Sequence, residues 1–260
     1  MCAGRTSLRP KRSTEEVVSM DTVKIDAKNT KMIAHRGLSG IERENTAAAF
    51  VAAGNRSYFG IETDVHKTAD GQYIVIHDDS TGRVAGENLQ VEHSSFADLR
   101  ALHLTDRDGE PRRDLCLPSL AEYLHICKTY DKTAVLELKN HFEKADIAKI
   151  LAIVEKEYTP EKLIFISFDY ENMVNLRALS DKLTLQFLCT CEVNETLIEK
   201  LRRHALDLDI LESRLTAQNI ALLHQNGILV NCWVADDRDR AQALADWQVD
   251  YITSNILEGK

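Results

Sequence analysis

The sequence has no pair of cysteines in C-x-x-C spacing, although it contains six cysteines in 260 residues. Most of them lie inside apolar runs, as buried free thiols do, so we expect reduced cysteines and no disulfide framework. Cys189 and Cys191 would place two sulfurs on one face of a strand. Because no further Cys or His lies near them in the sequence, a zinc site there is disfavoured.

Long apolar runs are also missing. Residues 1–30 contain no apolar segment of the kind found in secretory leaders or membrane spans. Their mixture of Arg, Lys, Ser, Thr and Glu predicts a disordered N-terminal extension. From the sequence we therefore expect a cytoplasmic protein with no stable membrane anchoring.

Positive charge is scarce. The chain has 32 Lys and Arg against 41 Asp and Glu, and its formal net charge is −9. The short basic cluster Arg9–Arg12 lies in the N-terminal tail, and no Lys/Arg stripe follows it. This balance argues against a nucleic-acid partner.

From Lys31 onward, short apolar runs alternate with amphipathic segments, which is typical of a parallel sheet covered by helices. About eight strand–helix units fit a (β/α)₈ TIM barrel of the α/β class better than an open doubly wound sheet. No G-x-G-x-x-G follows a strand. The predicted domain is residues 31–260, with strands at Met32–Ala34, Gly60–Val65, Tyr73–His77, Ala134–Leu138, Leu163–Ser167, Leu185–Cys189, Leu206–Leu211, Ile228–Val234 and Tyr251–Thr253.

One stretch interrupts this pattern. Ala69-Asp-Gly71 is a turn signal, and it predicts that Glu62–Asp78 doubles back as a hairpin. Residues 80–118 are too long and too polar for one connection, so we expect a small insertion near the site mouth. Ser94–Leu102 is predicted to form a short helix there, and Ser119 to cap the helix that follows.

Acidic residues occur inside the apolar strands. Glu62 and Asp64 are two apart, so their side chains project to the same face, and Glu137 and Lys139 repeat that geometry on a later strand. Buried carboxylates are costly unless paired or bound to a cation. One interpretation is an oxygen-coordinated Mg²⁺ or Ca²⁺. The other is a salt-bridge cluster that holds Lys139 and Arg36.

Two histidines follow strand-like runs. His35 comes directly before Arg36 and Gly37, and His77 comes before Asp78. Each histidine alone would more often be a satisfied core residue. Two histidines beside a carboxylate site supply a base and an acid, and the guanidinium of Arg36 suits phosphate oxygens.

Aromatic residues lie at two further strand ends. Phe168 follows Ser167, and Trp233 ends the run from Ile228. They could be ordinary core residues, or they could pack against the carbon skeleton of a substrate at the barrel mouth. Both interpretations remain open.

These motifs occur in a fixed order: H-R-G at His35, E-N-T at Glu44, E-x-D at Glu62, H-D at His77 and E-x-K at Glu137. As a set, over Lys31 to Leu257, they resemble the glycerophosphodiester phosphodiesterase family. The resemblance implies a metal-dependent hydrolysis of glycerophosphodiesters to glycerol 3-phosphate and an alcohol. It implies these roles by position: metal ligands Glu62, Asp64 and Glu137; acid and base His35 and His77; phosphate contacts Arg36 and Lys139; supporting residues Glu44 and Asn45.

Locally, Glu44-Asn-Thr46 is better explained as a helix start, with Asn45 or Thr46 as the cap. Two positions depart from the family pattern: Arg43 stands where proline is common, and Asn255 where an acidic residue is common. The expected partner is a small-molecule glycerophosphodiester, and the oligomeric state stays open. Two rival functions remain, a lysophospholipase D-like activity and a non-catalytic barrel that binds phosphorylated ligands.

Overall fold

The structure is a computed structural model that describes residues 21–260. Over these residues the chain forms thirteen β-strands. In chain order they are β1 Val23–Ile25, β2 Lys31–Ala34, β3 Gly60–Lys67, β4 Tyr73–Val75, β5 Leu104–Thr105, β6 Pro111–Arg112, β7 Thr133–Leu138, β8 Leu163–Ser167, β9 Thr184–Cys189, β10 Asp207–Leu211, β11 Val230–Trp233, β12 Tyr251–Ser254 and β13 Leu257–Gly259.

The same residues form nine α-helices and three short 3₁₀ turns. The helices are α1 Ala47–Gly54, α2 Gly82–Ala85, α3 Phe96–Ala101, α4 Leu120–Thr129, α5 Lys144–Glu157, α6 Tyr170–Leu179, α7 Glu195–Arg203, α8 Ala217–Gln225 and α9 Arg238–Asp246. The 3₁₀ turns are Val91–His93, Pro160–Lys162 and Glu212–Arg214. Within the part of the chain described here, no helix combines the length and the apolar character that a membrane crossing requires.

Eight parallel strands close into a barrel. The strands follow one another around the wall in the order β2, β3, β7, β8, β9, β10, β11 and β12. The last strand pairs with the first, with Ile252 opposite Met32 and Thr253 opposite Ile33. The prediction of an α/β protein with a (β/α)₈ barrel is therefore confirmed.

Successive residues of each barrel strand point to opposite sides of the wall. The outward side chains, such as Leu136 and Leu208, join the large apolar cluster that packs against the helices. The inward side chains Ile33, Val135 and Ile166 form a smaller apolar cluster inside the barrel. Inward positions nearer the carboxyl ends of the strands carry polar groups, and this is where barrel proteins build their sites.

Helix α4 begins as the sequence predicts. The Ser119 hydroxyl accepts a hydrogen bond from the backbone N–H of Glu122, and the Glu122 carboxylate accepts one from the backbone N–H of Ser119. This reciprocal pair satisfies two N–H groups that a helix start would otherwise leave unpaired. At α1 the cap is Thr46, which accepts from the backbone N–H of Ala49.

The hairpin and the insertion are also present. Strand β4 runs antiparallel to the end of β3, with Val65 opposite Val75. The insertion has its own apolar cluster, in which Val91, Leu99 and Leu115 are buried against Ile74 and Ile76. The short helix expected at Ser94–Leu102 is α3, which spans Phe96–Ala101 with Ser95 as its cap.

Arg43 ties the insertion to the barrel. Its Nε donates to the carbonyl oxygen of Thr105 at 2.5 Å, and its Nη2 donates to the carbonyl oxygen of Asp106. Arg107 donates in return to the carbonyl oxygen of Gly40. Arg43 and Arg107 thus link the loop after β2 to the insertion.

The N-terminal boundary requires a correction. Residues 21–30 were expected in the disordered extension, but Val23–Ile25 form β1, which pairs in parallel with β13. Ile25 is 1% exposed and joins the main core. A three-residue strand is too short to show a periodic pattern of apolar residues. Its stability comes from its pairing with β13, which the local sequence does not reveal. The first twenty residues of the expected extension lie outside the described residues.

Candidate active site

Three buried carboxylates meet at the carboxyl ends of β3 and β7. Glu62 and Asp64 lie on β3, and Glu137 lies on β7 directly opposite Asp64 in the strand register. One oxygen atom from each side chain lies within 4.8 Å of the other two. The two-residue spacing that the sequence contains therefore does place these side chains together inside the barrel.

Two cations border the carboxylates. The ammonium group of Lys139 lies 2.9 Å from Oε1 of Glu137 and 3.5 Å from Oδ1 of Asp64. Nε of Arg36 lies 3.6 Å from Oδ2 of Asp64, and the Arg36 backbone N–H donates to Oε2 of Glu62 at 2.7 Å. The ion pairs of the salt-bridge interpretation are thus present, but Arg36 is shared with another carboxylate, Glu44, at 2.8 Å.

The cluster holds more negative charge than its cations balance. Burial, followed by the charge of Asp64, raises the pKa of Glu62, and the same two causes raise the pKa of Glu137 to about 8. Burial also acts on Asp64, but Lys139 and Arg36 outweigh it and hold the Asp64 pKa below its ordinary value. Crowded carboxylates of this kind are stabilised when a cation binds among them.

A hard divalent cation fits these residues. All three candidate ligands offer carboxylate oxygens, the donors that Mg²⁺ and Ca²⁺ prefer. Oδ1 of Asp64 is buried and accepts no hydrogen bond from the residues that the structure describes. A buried carboxylate oxygen without a hydrogen bond is costly even with the Lys139 ammonium group 3.5 Å away, and coordination to a cation would reduce that cost.

His35 is held by a chain of hydrogen bonds. Its Nδ1 lies 2.8 Å from Oδ1 of Asn255, and the Asn255 amide N–H donates to Oδ2 of Asp236 at 2.6 Å. The Ser39 hydroxyl donates to the same Asn255 oxygen. Burial lowers the pKa of His35 to about 4, so the ring is neutral at pH 7. Its Nε2 lies 4.0 Å from Oε2 of Glu62.

His77, like His35, has a side-chain hydrogen-bond partner at its Nδ1 atom. Its Nδ1 lies 2.7 Å from Oδ1 of Asp78. Arg83 donates to Asp78 at 2.6 Å and to Glu44 at 2.8 Å, which fixes the Asp78 carboxylate. The hydrogen bond from Arg83 holds the pKa of Asp78 at about 2, whereas burial lowers the pKa of His77. Like His35, His77 is therefore held through its Nδ1 atom.

Glu44 and Asn45 support the residues around the carboxylate cluster and around His77. Glu44 binds Arg36 and Arg83, and these arginines hold its pKa at about 2 although burial acts in the opposite direction. Asn45 has a φ of 53°, a conformation that asparagine tolerates better than most residues. This backbone turn lets its amide donate to Oδ2 of Asp64 at 2.7 Å, while its oxygen accepts from the Thr63 hydroxyl.

Both histidines line one cavity of about 60 Å³. The ring centroids of Phe168 and Trp233 are 5.5 Å apart in an edge-to-face pair on its opposite wall. Phe168 is 46% exposed, so it forms part of the rim and not of the core. The cavity is lined by His35, Arg36, Glu62, His77, Glu137, Ile166, Phe168, Leu188, Asp209, Trp233 and Thr253.

Sequence reasoning missed three residues of this site. Asp236 and Arg83 act only through residues distant in the chain, and no local pattern marks them. Asp209 had a usable signal, because Asp207-Leu-Asp209 repeats in β10 the acidic spacing of β3. Because residues two apart in a strand share one face, this spacing would have predicted that Asp209 lies inside the barrel.

The fold and the site define a TIM-barrel protein with a buried carboxylate cluster and two histidines at the carboxyl ends of its strands. Residues 35–258 match the glycerophosphoryl diester phosphodiesterase family. The chain belongs to this family of enzymes.

Similar proteins agree with this assignment. A glycerophosphodiester phosphodiesterase from Caldanaerobacter subterraneus subsp. tengcongensis is 27% identical over 231 residues, covering 88% of this chain and 95% of its own. A phosphodiesterase from Oleispira antarctica, solved in complex with the product sn-glycerol-3-phosphate, has a TM-score of 0.79 at 24% identity and covers 87% and 93% of the two chains. A glycerophosphodiester phosphodiesterase from Parabacteroides distasonis has a TM-score of 0.73 at 25% identity, with the same coverage.

Proposed function

We propose that this protein hydrolyses small glycerophosphodiesters to glycerol 3-phosphate and an alcohol, with one divalent cation and two histidines as acid and base. The observation that carries the proposal is that both histidines line the same cavity as Glu62 and Glu137, two members of the carboxylate cluster. Family membership and the name of the Caldanaerobacter relative support the substrate class.

Glu62, Asp64 and Glu137 would hold the cation, as either Mg²⁺ or Ca²⁺. When bound, such a cation supplies positive charge to the phosphate oxygens. Arg36 and Lys139 add to that charge from the protein. Nε of Arg36 is buried and makes no hydrogen bond with a described residue, so it remains available to a phosphate oxygen.

The two histidines exchange protons with the substrate oxygens. One neutral ring accepts the proton of a free glycerol hydroxyl, whose oxygen attacks phosphorus, while the other ring in its protonated form gives a proton to the departing alcohol. Hydrolysis of the resulting cyclic phosphate reverses the two roles, so both rings return to their starting states. Asn255 and Asp78 hold the Nδ1 atoms and leave each Nε2 for this exchange.

The size of the cavity favours water-soluble diesters over lysolipids. A cavity of about 60 Å³ encloses only a small part of a substrate, and Phe168 and Trp233 offer apolar surface to a carbon skeleton. The insertion at residues 80–118 contacts the loop after β2 through Arg43 and lies beside this opening. These features support a preference for small substrates.

The test is an assay of glycerol 3-phosphate release by purified protein supplied with Mg²⁺ or Ca²⁺. We expect water-soluble glycerophosphodiesters of different alcohols to be cleaved at rates within a modest range, and acylated lysolipids far more slowly. Glu62→Gln serves as the matched inactive control. Faster turnover of a lysolipid under matched conditions would favour the lysophospholipase D-like activity. Binding without turnover of any diester would favour the non-catalytic barrel.

A further inference from the structure

Asp209 is a buried carboxyl group that the proposed mechanism does not use. It points inward from β10, between Leu188 of β9 and Asn231 of β11 in the strand register, and it is 2% exposed. Its Oδ1 has no hydrogen-bond partner, and no ion pair involves this carboxyl group within residues 21–260. Such a group costs stability wherever nothing satisfies it.

The polar residues next to Asp209 form a row of hydrogen bonds with one another, in which Nε2 of Gln186 alone lacks a partner among the described residues. The Asn231 amide N–H donates to Oε1 of Gln186 at 3.0 Å, and the Thr253 hydroxyl donates to Oδ1 of Asn231 at 3.2 Å. Asp209 does not join this row, although it lies on the strand between Gln186 and Asn231. The Asp209 side chain lines the catalytic cavity instead.

A second unpaired group borders the same cavity. Nε1 of Trp233 is buried and donates to no described residue. Trp233 lies on β11, the strand next to Asp209, and both side chains line the wall away from Glu62 and Asp64. The indole N–H can only donate, whereas a carboxyl group can accept and, when protonated, also donate. Burial, with a smaller contribution from Glu137, raises the pKa of Asp209 well above its ordinary value.

A hydroxyl group would satisfy both partners, since its oxygen can accept from the indole while it exchanges a hydrogen bond with the carboxyl group. We propose that Asp209, with Nε1 of Trp233, recognises a free hydroxyl of the polyol part of the substrate and makes the cavity selective for hydroxyl-bearing phosphate esters. This specificity role rests on the proposed function. Ile166 and Leu188, which line the same cavity, are apolar, and the Thr253 hydroxyl already donates to Asn231.

The decisive comparison uses two substrates. Glycerophosphocholine carries two free hydroxyls, whereas 2-hydroxypropyl phosphocholine keeps the hydroxyl that attacks phosphorus and lacks the terminal one. Asp209→Leu should lower kcat/KM for glycerophosphocholine by about 10- to 100-fold and leave the 2-hydroxypropyl ester within about twofold, because only the first substrate loses a hydrogen bond. Asp209→Asn should show a smaller loss, and Trp233→Phe a selective loss in the same direction. Asp207→Asn, two residues away on β10 and outside the cavity, is the matched control.

A binding experiment separates this proposal from the proposed function. In calorimetry with Mg²⁺ present, wild type should prefer glycerol 3-phosphate over ethyl phosphate, and Asp209→Leu should lose that preference. An equal fall in kcat/KM on both substrates would overturn the hydroxyl role of Asp209. So would a wild-type protein that binds glycerol 3-phosphate and ethyl phosphate equally well. Preference for glycerol 3-phosphate without turnover of any diester would instead overturn the hydrolase proposal alone. If Asp209→Leu does not fold, the same ratios of kcat/KM and of binding affinity are measured on Asp209→Asn and Trp233→Phe.

Discussion

The side-chain oxygen of Asn255 lies 2.8 Å from Nδ1 of His35, and this contact determines which ring nitrogen carries the proton. The Asn255 amide N–H donates to Asp236, so its oxygen must face the histidine. That oxygen accepts from Nδ1–H, which leaves the lone pair of His35 on Nε2, towards Glu62. A residue that departs from the family pattern thus orients one of the two proposed catalytic rings.

Asn255→Ala should reduce kcat by about 10- to 10³-fold with KM little changed, because His35 would lose its preferred tautomer and orientation. The measurement is steady-state kinetics on a glycerophosphodiester at saturating metal. Asn226→Ala, at a half-buried asparagine at the end of α8 and outside the cavity, is the control. A rise in KM with unchanged kcat would show that Asn255 acts on binding and not on the ring.

His35→Ala and His77→Ala should each lower kcat by about 10²–10⁴-fold, since each ring transfers a proton in the transition state. Thermal unfolding should stay close to wild type, because neither ring belongs to an apolar cluster. His125→Ala, on α4 and outside the cavity, provides the comparison. A variant with near-normal turnover would remove that histidine from the mechanism.

Glu62→Gln should weaken Mg²⁺ or Ca²⁺ binding and abolish most activity, while the metal-free protein should unfold at the same temperature as wild type or higher. Loss of one carboxylate leaves a hard cation short of oxygen ligands. The same change relieves repulsion with Asp64 and Glu137. Titration calorimetry and thermal unfolding in chelator measure the two effects. A large drop in the unfolding temperature without metal would support the salt-bridge interpretation.

Glu258→Gln should destabilise the protein at pH 7 by about 1–3 kcal/mol, the range for hydrogen bonds to a charged group. Glu258 pairs with Lys24 at 2.7 Å and accepts a hydrogen bond from the backbone N–H of Ser57. Burial raises the pKa of Glu258, but these partners outweigh it and hold the pKa at about 2. A depressed carboxyl pKa stabilises the fold above the ordinary value of 4.5, and the contribution is lost as the pH falls towards 2. Urea unfolding of both proteins should therefore show the gap closing over that interval. A gap independent of pH would assign the loss to packing.

The barrel could be predicted from the sequence because its strands are continuous apolar runs with strong helices between them. The carboxylates and histidines could be placed because strand alternation and parallel pairing bring strand ends together. What could not be predicted depends on contacts between distant parts of the chain. Asp236 meets Asn255 through the packing of β11 and β12, and Arg43 meets Thr105 across the insertion. No local pattern specifies such pairs.

The pairing of β1 with β13 has a kinetic consequence. The Thr22 hydroxyl donates to Glu258 across 236 positions of the chain, so this contact can form only after residue 258 has been synthesised. Closing so long a loop is slow compared with local helix formation. We expect the amide protons of Val23 and Ile25 to gain protection late in refolding, after the barrel strands. In the native protein they should exchange through a local opening that leaves the barrel intact, as pulsed hydrogen exchange would measure.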